Sequence, residues 1–505
     1  MSILLINPPA ENTIEAEVPS IVSEERGHNP FLGLMYIAAV LKKEECKVEI
    51  LDCQVEELSY EKVKQELERR KPDIIGMTAM SFTLIDNLKV ARIAKEINNE
   101  VKVILGGPHP HIFPKETINL PDVDFLVLGE GEETVVELIK HMDNIETSEI
   151  ATRNLPTSVR SKRAISDCAQ KHAPHFSGAV LDKLKNVKGI VFKDRNKVIN
   201  TGLRPLIMDL DKIPFPARTL TPYKKYSSLL AKRTPITTME TSRGCPYKCI
   251  FCDRPHLGKM FRARSPKNVA DEIEECVNLG IKEILIYDDT FTINRKRVVD
   301  ICNEIITRKL DISWDIRARV NTVDSELLNL MKKAGCERIH YGVEAGNSRI
   351  LEVLRKGITK EQVIKAFNET RKAKIDILAY FMIGSPRETR QTIMDSINFA
   401  KQTKPDYVHF SITTPFPATD LYYMGLKEGI LKDDSWLEFA KNPTKDFKPP
   451  LWEENLKRED LIELLYLAYK KFYTRPGYII RKMLKIRSAD EFKRKVKAGL
   501  KIFRL

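Results

Sequence analysis

The chain has little that would carry it across a membrane. No stretch of its 505 residues reaches the ~18 consecutive apolar residues of a spanning helix. The opening, MSILLINPPAENTIEAEVPS, turns acidic after a few apolar residues; a strand and a turn are expected there, not a signal peptide. Cysteine is sparse. The nine (Cys46, Cys53, Cys168, Cys245, Cys249, Cys252, Cys276, Cys302, Cys336) are odd in number and widely spread. That excludes a disulfide framework and implies a reducing cytoplasm. Basic charge is also missing from most of the chain. Of the net +13, residues 470–505 carry +11, thirteen Lys and Arg against Asp490 and Glu491, leaving +2 elsewhere. Nucleic acid is not an expected partner, because the tail lacks interleaved aromatics or an RNA-binding module.

What is present is a repeated alternation of strand and helix. SILLINPP, KVEILDC, DIIGMTAMS, VKVILGGPHP and VDFLVLGEGEET read as strands, with helical periodicity between them. This predicts a doubly wound parallel sheet over 1–145, with ligands at the strands' carboxyl ends. Those ends hold Thr78, Ser81, Gly106, Gly107, Gly129 and Glu130, and the glycines allow close backbone approach. Residues 146–230 read as a connector containing a small hairpin, NVKGIVFKDRNKVIN. From 231 to 430 six more strand–helix units predict a partial barrel, its site at the strands' C-terminal ends. Residues 431–505 read as a basic helical region.

Just after the first barrel strand stands TSRGCPYKCIFCDRP, with Cys245, Cys249 and Cys252 within eight residues. Three thiolates leave one position of a four-iron cluster open for substrate. Structural zinc is the competing reading; it wants four ligands, no second cysteine pair follows, and His256 is poorly spaced.

CxxxCxxC with an aromatic, Phe251, before the last cysteine resembles the radical S-adenosylmethionine (SAM) superfamily. The resemblance implies that Cys245, Cys249 and Cys252 hold a 4Fe–4S cluster. Its unique iron would bind the amino and carboxylate groups of SAM, and one electron would then yield a 5′-deoxyadenosyl radical. GVEAG resembles the family's fourth-strand segment and points to Glu344 at the ribose; IGSPRET, with Gly384, Pro386 and Glu388, resembles the fifth-strand segment. TPFPATDL resembles a sixth-strand turn in which Ala418 replaces glycine. Arg317 or Arg319 is a candidate for the methionine carboxylate, by a charge-assisted fork. Asp289, beside Asp288 at the end of the second strand, is a candidate SAM contact or an organiser of the barrel mouth.

A doubly wound domain directly before such a barrel resembles the cobalamin-binding class of these enzymes. The resemblance implies cobalamin held without a protein histidine on cobalt, since the DxHxxG motif is missing and GPHPH (His109, His111) has the wrong spacing. Methylthiotransferases carry three further cluster cysteines in this domain, which here offers only Cys46 and Cys53. The expected architecture is α/β: a Rossmann-like cobalamin-binding domain, a partial (β/α)6 TIM-like barrel and a helical C-terminal region. The expected activity is oxygen-sensitive methylation of an unactivated carbon, with cyclisation or rearrangement as the alternative. A non-catalytic membrane-surface protein with a structural metal is a third reading. The tail resembles those of class members acting on hopanoid lipids and tetrapyrroles, which implies a hydrophobic or lipid substrate. Its basic amphipathic helix suits peripheral contact with an anionic membrane. An electron donor such as flavodoxin or ferredoxin is the other partner implied. The barrel interior adds Tyr380 and His409 as substrate-side candidates.

Overall fold

In the computed structural model, residues 1–14, 27–153, 178–228, 230–252 and 255–483 are described. The first strand explains the first layer. In β1 (Ser2–Asn7) the run ILLI is apolar on both faces, as a parallel strand covered on both sides must be. Leu4 and Ile6 enter one core, with Ile75, Met77, Val103 and Leu105. Ile3 and Leu5 enter the other, with Ile74, Ile104 and Phe125. The sheet runs β2 (Lys47–Asp52), β1, β3 (Ile74–Thr78), β4 (Lys102–Gly106), β5 (Phe125–Val127), all parallel. The hairpin β6 (Ile190–Asp194) and β7 (Lys197–Asn200) then pairs antiparallel onto β5 and completes this same sheet. The segment 190–200 is therefore part of the first sheet, not a free-standing connector. Phe125 and Phe192 are opposite each other and fix that join.

The second sheet contains the six strands expected, in order β15 (Tyr407–Ile412), β14 (Asp376–Ile383), β13 (Cys336–Glu344), β12 (Ser313–Ala318), β11 (Glu283–Ile286), β8 (Ile236–Met239). All its pairs are parallel, and the helices between them cover the outside. The two-residue strands β9 (Ser242–Arg243) and β10 (Arg262–Ala263) pair at the start and end of the cysteine segment. The barrel is open, so β15 is an edge. The helix Arg458–Tyr473 covers it, and two of its tyrosines stand in for a missing strand. Tyr473 Oη accepts from Val408 N–H at 3.0 Å and donates to Val408 C=O at 2.8 Å. Tyr469 Oη does the same at Phe410, at 3.2 and 3.0 Å. A further helix, Pro476–Met483, follows. The basic segment SADEFKRKVKAGLKIFRL lies outside the described residues. No helix of the described residues is long and apolar enough to cross a membrane.

Tyr473→Phe would strand both Val408 groups. The expected cost is about 1–3 kcal/mol. Hydrogen exchange at the Val408 amide would read it as about tenfold faster exchange or more, with little change at β8.

Candidate active site

The cysteine segment is pinned before it begins. Asp288, fully buried, accepts from Thr241 N–H and Oγ1 (both 2.6 Å) and from Ser242 N–H (3.1 Å) and Oγ (2.5 Å). One carboxylate thus ties the end of β11 to the turn after β8. Gly244 follows with φ +82°, and a Cβ there would lie 2.1 Å from the Met260 carbonyl oxygen, so no other residue fits. Cys245 and Cys249 are half-buried and Cys252 is exposed. Cys245 Sγ lies 3.9 Å from Thr290 Oγ1, and Arg319 Nη1 donates to Cys249 Sγ at 3.6 Å. The main chain of Ile250 is held on both sides, by Leu354 C=O and Leu421 N–H. Phe251 packs against the barrel core, with Lys356 Nζ 5.7 Å from its ring.

The donor set fits an iron–sulfur cluster. Three thiols of one loop are half-buried or exposed, whereas Cys276 and Cys302 are buried in the barrel core, where desolvation pushes both up to about 12. Among the described residues, no three His, Cys, Asp or Glu side chains form a preassembled metal site.

Around the loop stand the remaining strand ends. Glu344 closes β13 with φ +72°, and its Oε1 accepts from Lys356 Nζ at 2.7 Å. Gly384 has φ +73° and backs onto Leu461. Ala418, which departs from the family's glycine, nevertheless takes φ +66°, so the tight turn forms at the usual cost of a left-handed alanine. Asp289 is half-buried beside Thr290, whose hydroxyl donates to its carbonyl. Arg319, a candidate for the methionine carboxylate, has its guanidinium occupied. It donates to Lys356 C=O and covers the Tyr247 ring at 3.8 Å, which makes it a brace of the cysteine loop.

The carboxyl ends of the first sheet face the barrel across a cavity of about 470 Å³. Thr78, Gly106, Gly107 and Gly129 line one side; Tyr287 and Arg317 line the other. Gly107 has φ +100°, and its absent Cβ leaves room that Thr78 and Ala79 would otherwise contest at 2.8 and 3.0 Å. This glycine-lined floor fits a large flat cofactor. Ser81 is turned to His109, Oγ to Nδ1 at 2.9 Å, and burial pushes that imidazole down to about 4, so it is neutral at pH 7. His111 Nδ1 accepts from Gly129 N–H at 3.2 Å.

Glu130, expected to contact cobalamin, lines the cavity and is held there by two arginines. Its carboxylate accepts from Arg243 and Arg262 at 2.8 Å and from Ile207 N–H at 2.6 Å. Arg243 also holds Glu132 at 2.5 Å and Glu240 at 2.7 Å. The cluster is buried and joins the first sheet's glycine-rich end to the residue two before Cys245. Three carboxylates meet two guanidiniums. Burial pushes Glu240 up, whereas for Glu132 Arg243 outweighs the same burial and pulls it down. Arg243, Arg262, Glu132 and Tyr287 are absent from the sequence reading. The signal was the acidic pair of GEGEE and the arginine of SRGC.

A cysteine loop at the mouth of an open barrel, facing a glycine-floored doubly wound domain, defines a cofactor-dependent enzyme. Residues 239–400 match the radical SAM superfamily and residues 21–139 the B12 binding domain. Over 484 residues the chain is 35% identical to Uncharacterized methyltransferase PH0819 of Pyrococcus horikoshii, covering 95% of this chain and 94% of that one. It is 29% identical over 459 residues to the Anaerobic magnesium-protoporphyrin IX monomethyl ester cyclase of Cereibacter sphaeroides, covering 89% and 68%. Among solved structures, the cobalamin-dependent S-adenosylmethionine radical enzyme OxsB superposes with TM-score 0.69, at 18% identity over 99% of this chain and 72% of that one. The radical SAM methyltransferase TsrM of Kitasatospora setae gives 0.63, at 16% identity over 85% and 79%. The chain belongs to the cobalamin-binding radical SAM enzymes. Its cofactors are a 4Fe–4S cluster, SAM and cobalamin.

Glu388 gives a pH-dependent test. It is buried, Oε2 accepts from Ser385 N–H at 2.8 Å, and Oε1 has no partner. Burial raises it from 4.5 to about 8, so the fold prefers the protonated form. Its contribution is complete below about pH 4.5 and is lost as pH rises towards 8. Glu388→Gln should flatten the fall of the thermal midpoint across that window.

Proposed function

We propose that this enzyme methylates an unactivated carbon of a hydrophobic substrate, lipid-like or tetrapyrrole-like. The observation that carries the reading is the cavity between the glycine floor and the barrel's strand ends, where one substrate would meet both cofactors. When bound, the cofactors supply a 5′-deoxyadenosyl radical and a transferable methyl group. In this reading Cys245, Cys249 and Cys252 hold the cluster. Phe251, Asp289, Glu344 and Gly384 border SAM, and Thr78, Ser81, Gly106, Gly107 and Gly129 border cobalamin, with no histidine on cobalt. The chain's own work is to position these groups and to keep water and stray hydrogen donors from the radical. Asp288 and Arg319 fix the loop, and the Arg243 cluster fixes the distance between the two halves.

Support also comes from relatives whose names are methyltransferases, including Cytidylyl-2-hydroxyethylphosphonate methyltransferase of Streptomyces wedmorensis at 25% identity. The cyclase relatives favour the second reading, ring closure without net methylation. The domain limits 1–145, 146–230, 231–430 and 431–505 remain part of the proposal, with 190–200 assigned structurally to the first sheet. So do an external electron donor, a cytoplasmic location and peripheral membrane contact through the basic tail.

The test uses anaerobic enzyme with its cofactors, a chemical reductant, methyl-labelled SAM and an organic extract of cells. Label in an apolar product, with S-adenosylhomocysteine and 5′-deoxyadenosine formed together, is expected. 5′-Deoxyadenosine without S-adenosylhomocysteine would make the enzyme a cyclase or mutase. Cys245→Ala should abolish 5′-deoxyadenosine in either case.

A further inference from the structure

We propose that Arg317 anchors an acidic group of the substrate, a carboxylate or phosphate, so that the acceptor is an amphipathic anion and not a neutral hydrocarbon. This rests on the cavity being the substrate site, as above.

Alternation along β12 sends Trp314 and Ile316 into the apolar core and Asp315, Arg317 and Arg319 to the barrel interior. The three charges have different fates. Asp315 is buried and satisfied, 3.0 Å from Arg338 Nη1 and 3.3 Å from His340 Nε2. Arg319 is buried and spent on backbone carbonyls and the cysteine loop. Arg317 is half-buried and lines the cavity. Among the described residues it has no carboxylate within ion-pair distance. The other acids on the cavity wall, Glu130, Glu132 and Glu240, are all held by Arg243, and Glu130 by Arg262 as well.

The guanidinium lies over the Tyr287 ring, 4.3 Å from its centroid. Tyr287 engages the guanidinium through its ring and its hydroxyl; the five N–H donors of a guanidinium are set in a planar fork, which suits it to grip an oxyanion by two parallel hydrogen bonds. A partly enclosed cavity strengthens such a contact relative to water. Apolar wall residues, among them Ile37 and Leu257, suit the remainder of the molecule.

A carboxylate at Arg317 has two sources, the substrate and the methionyl end of SAM. Strand geometry favours the substrate. Arg319 is the residue that touches Cys249 Sγ, and Arg317 lies two residues back along the strand, about 6.6 Å away. In the reading above the SAM carboxylate sits on the cluster's open iron, and Arg319, which touches the cluster loop, lies nearer to that position than Arg317 does.

The experiment uses full-length enzyme loaded with cluster and cobalamin. Equilibrium dialysis measures dodecanoate, dodecyl phosphate and dodecanol, and SAM separately. Wild type should bind one or both acids about tenfold or more tighter than the alcohol. Arg317→Gln should bring that ratio to within about twofold while changing SAM affinity less than about twofold. Arg317→Lys, which keeps the charge and loses the fork, should fall between, and carries the test if Arg317→Gln does not retain its cofactors. Wild type without a preference for either acid overturns the proposal. So does a variant that keeps the preference, or one that loses SAM binding. Lack of S-adenosylhomocysteine in the labelling assay would strike the methylation reading alone and leave this preference measurable.

Discussion

Everything in this enzyme depends on one buried cation. Arg243, two residues before the first cluster cysteine, receives Glu130 and Glu132 from just after β5 and Glu240 from just after β8. Such a cluster contributes little net stability, because desolvation offsets most of the attraction. Its value is geometric. A guanidinium shared by three carboxylates has few alternative arrangements, so the glycine floor and the cysteine loop are held in one register. A second buried cluster, Arg218 and Arg264 on Glu272, fixes the barrel's first helix to the connector and to the end of the cysteine segment.

The site is built on that register from short-range restraints. Asp288 fixes the turn after β8, Gly244 permits the close pass by Met260, and Arg319 ties Cys249 to the chain after β13. Asp288 and Arg319 each join a different strand end to the loop, and Gly244 lets the loop's two arms pass closely. The helix Arg458–Tyr473 completes the frame from the other side, where its tyrosine hydroxyls satisfy the open edge of the barrel.

Much of this was legible in the sequence because it is periodic or compact. Six alternating units gave the barrel, and eight residues gave the cluster loop. What was not legible shares a cause: it concerns pairings between residues far apart in the chain. Glu130 stands in a glycine-rich strand end that reads as a cofactor site, but its partners are 113 and 132 residues on. The hairpin at 190–200 reads as isolated because nothing local reveals that β5 is its neighbour. Arg317 and Arg319 look equivalent in sequence; what separates them is which neighbours each strand position meets.

The central claim is that both cofactors belong to one chain. The direct measurement is iron and cobalt content of protein purified without oxygen and supplied with hydroxocobalamin. About four irons and about one tightly held cobalamin per chain are expected. Iron without retained cobalamin would contradict the account, since the cavity between the two halves would then serve something else.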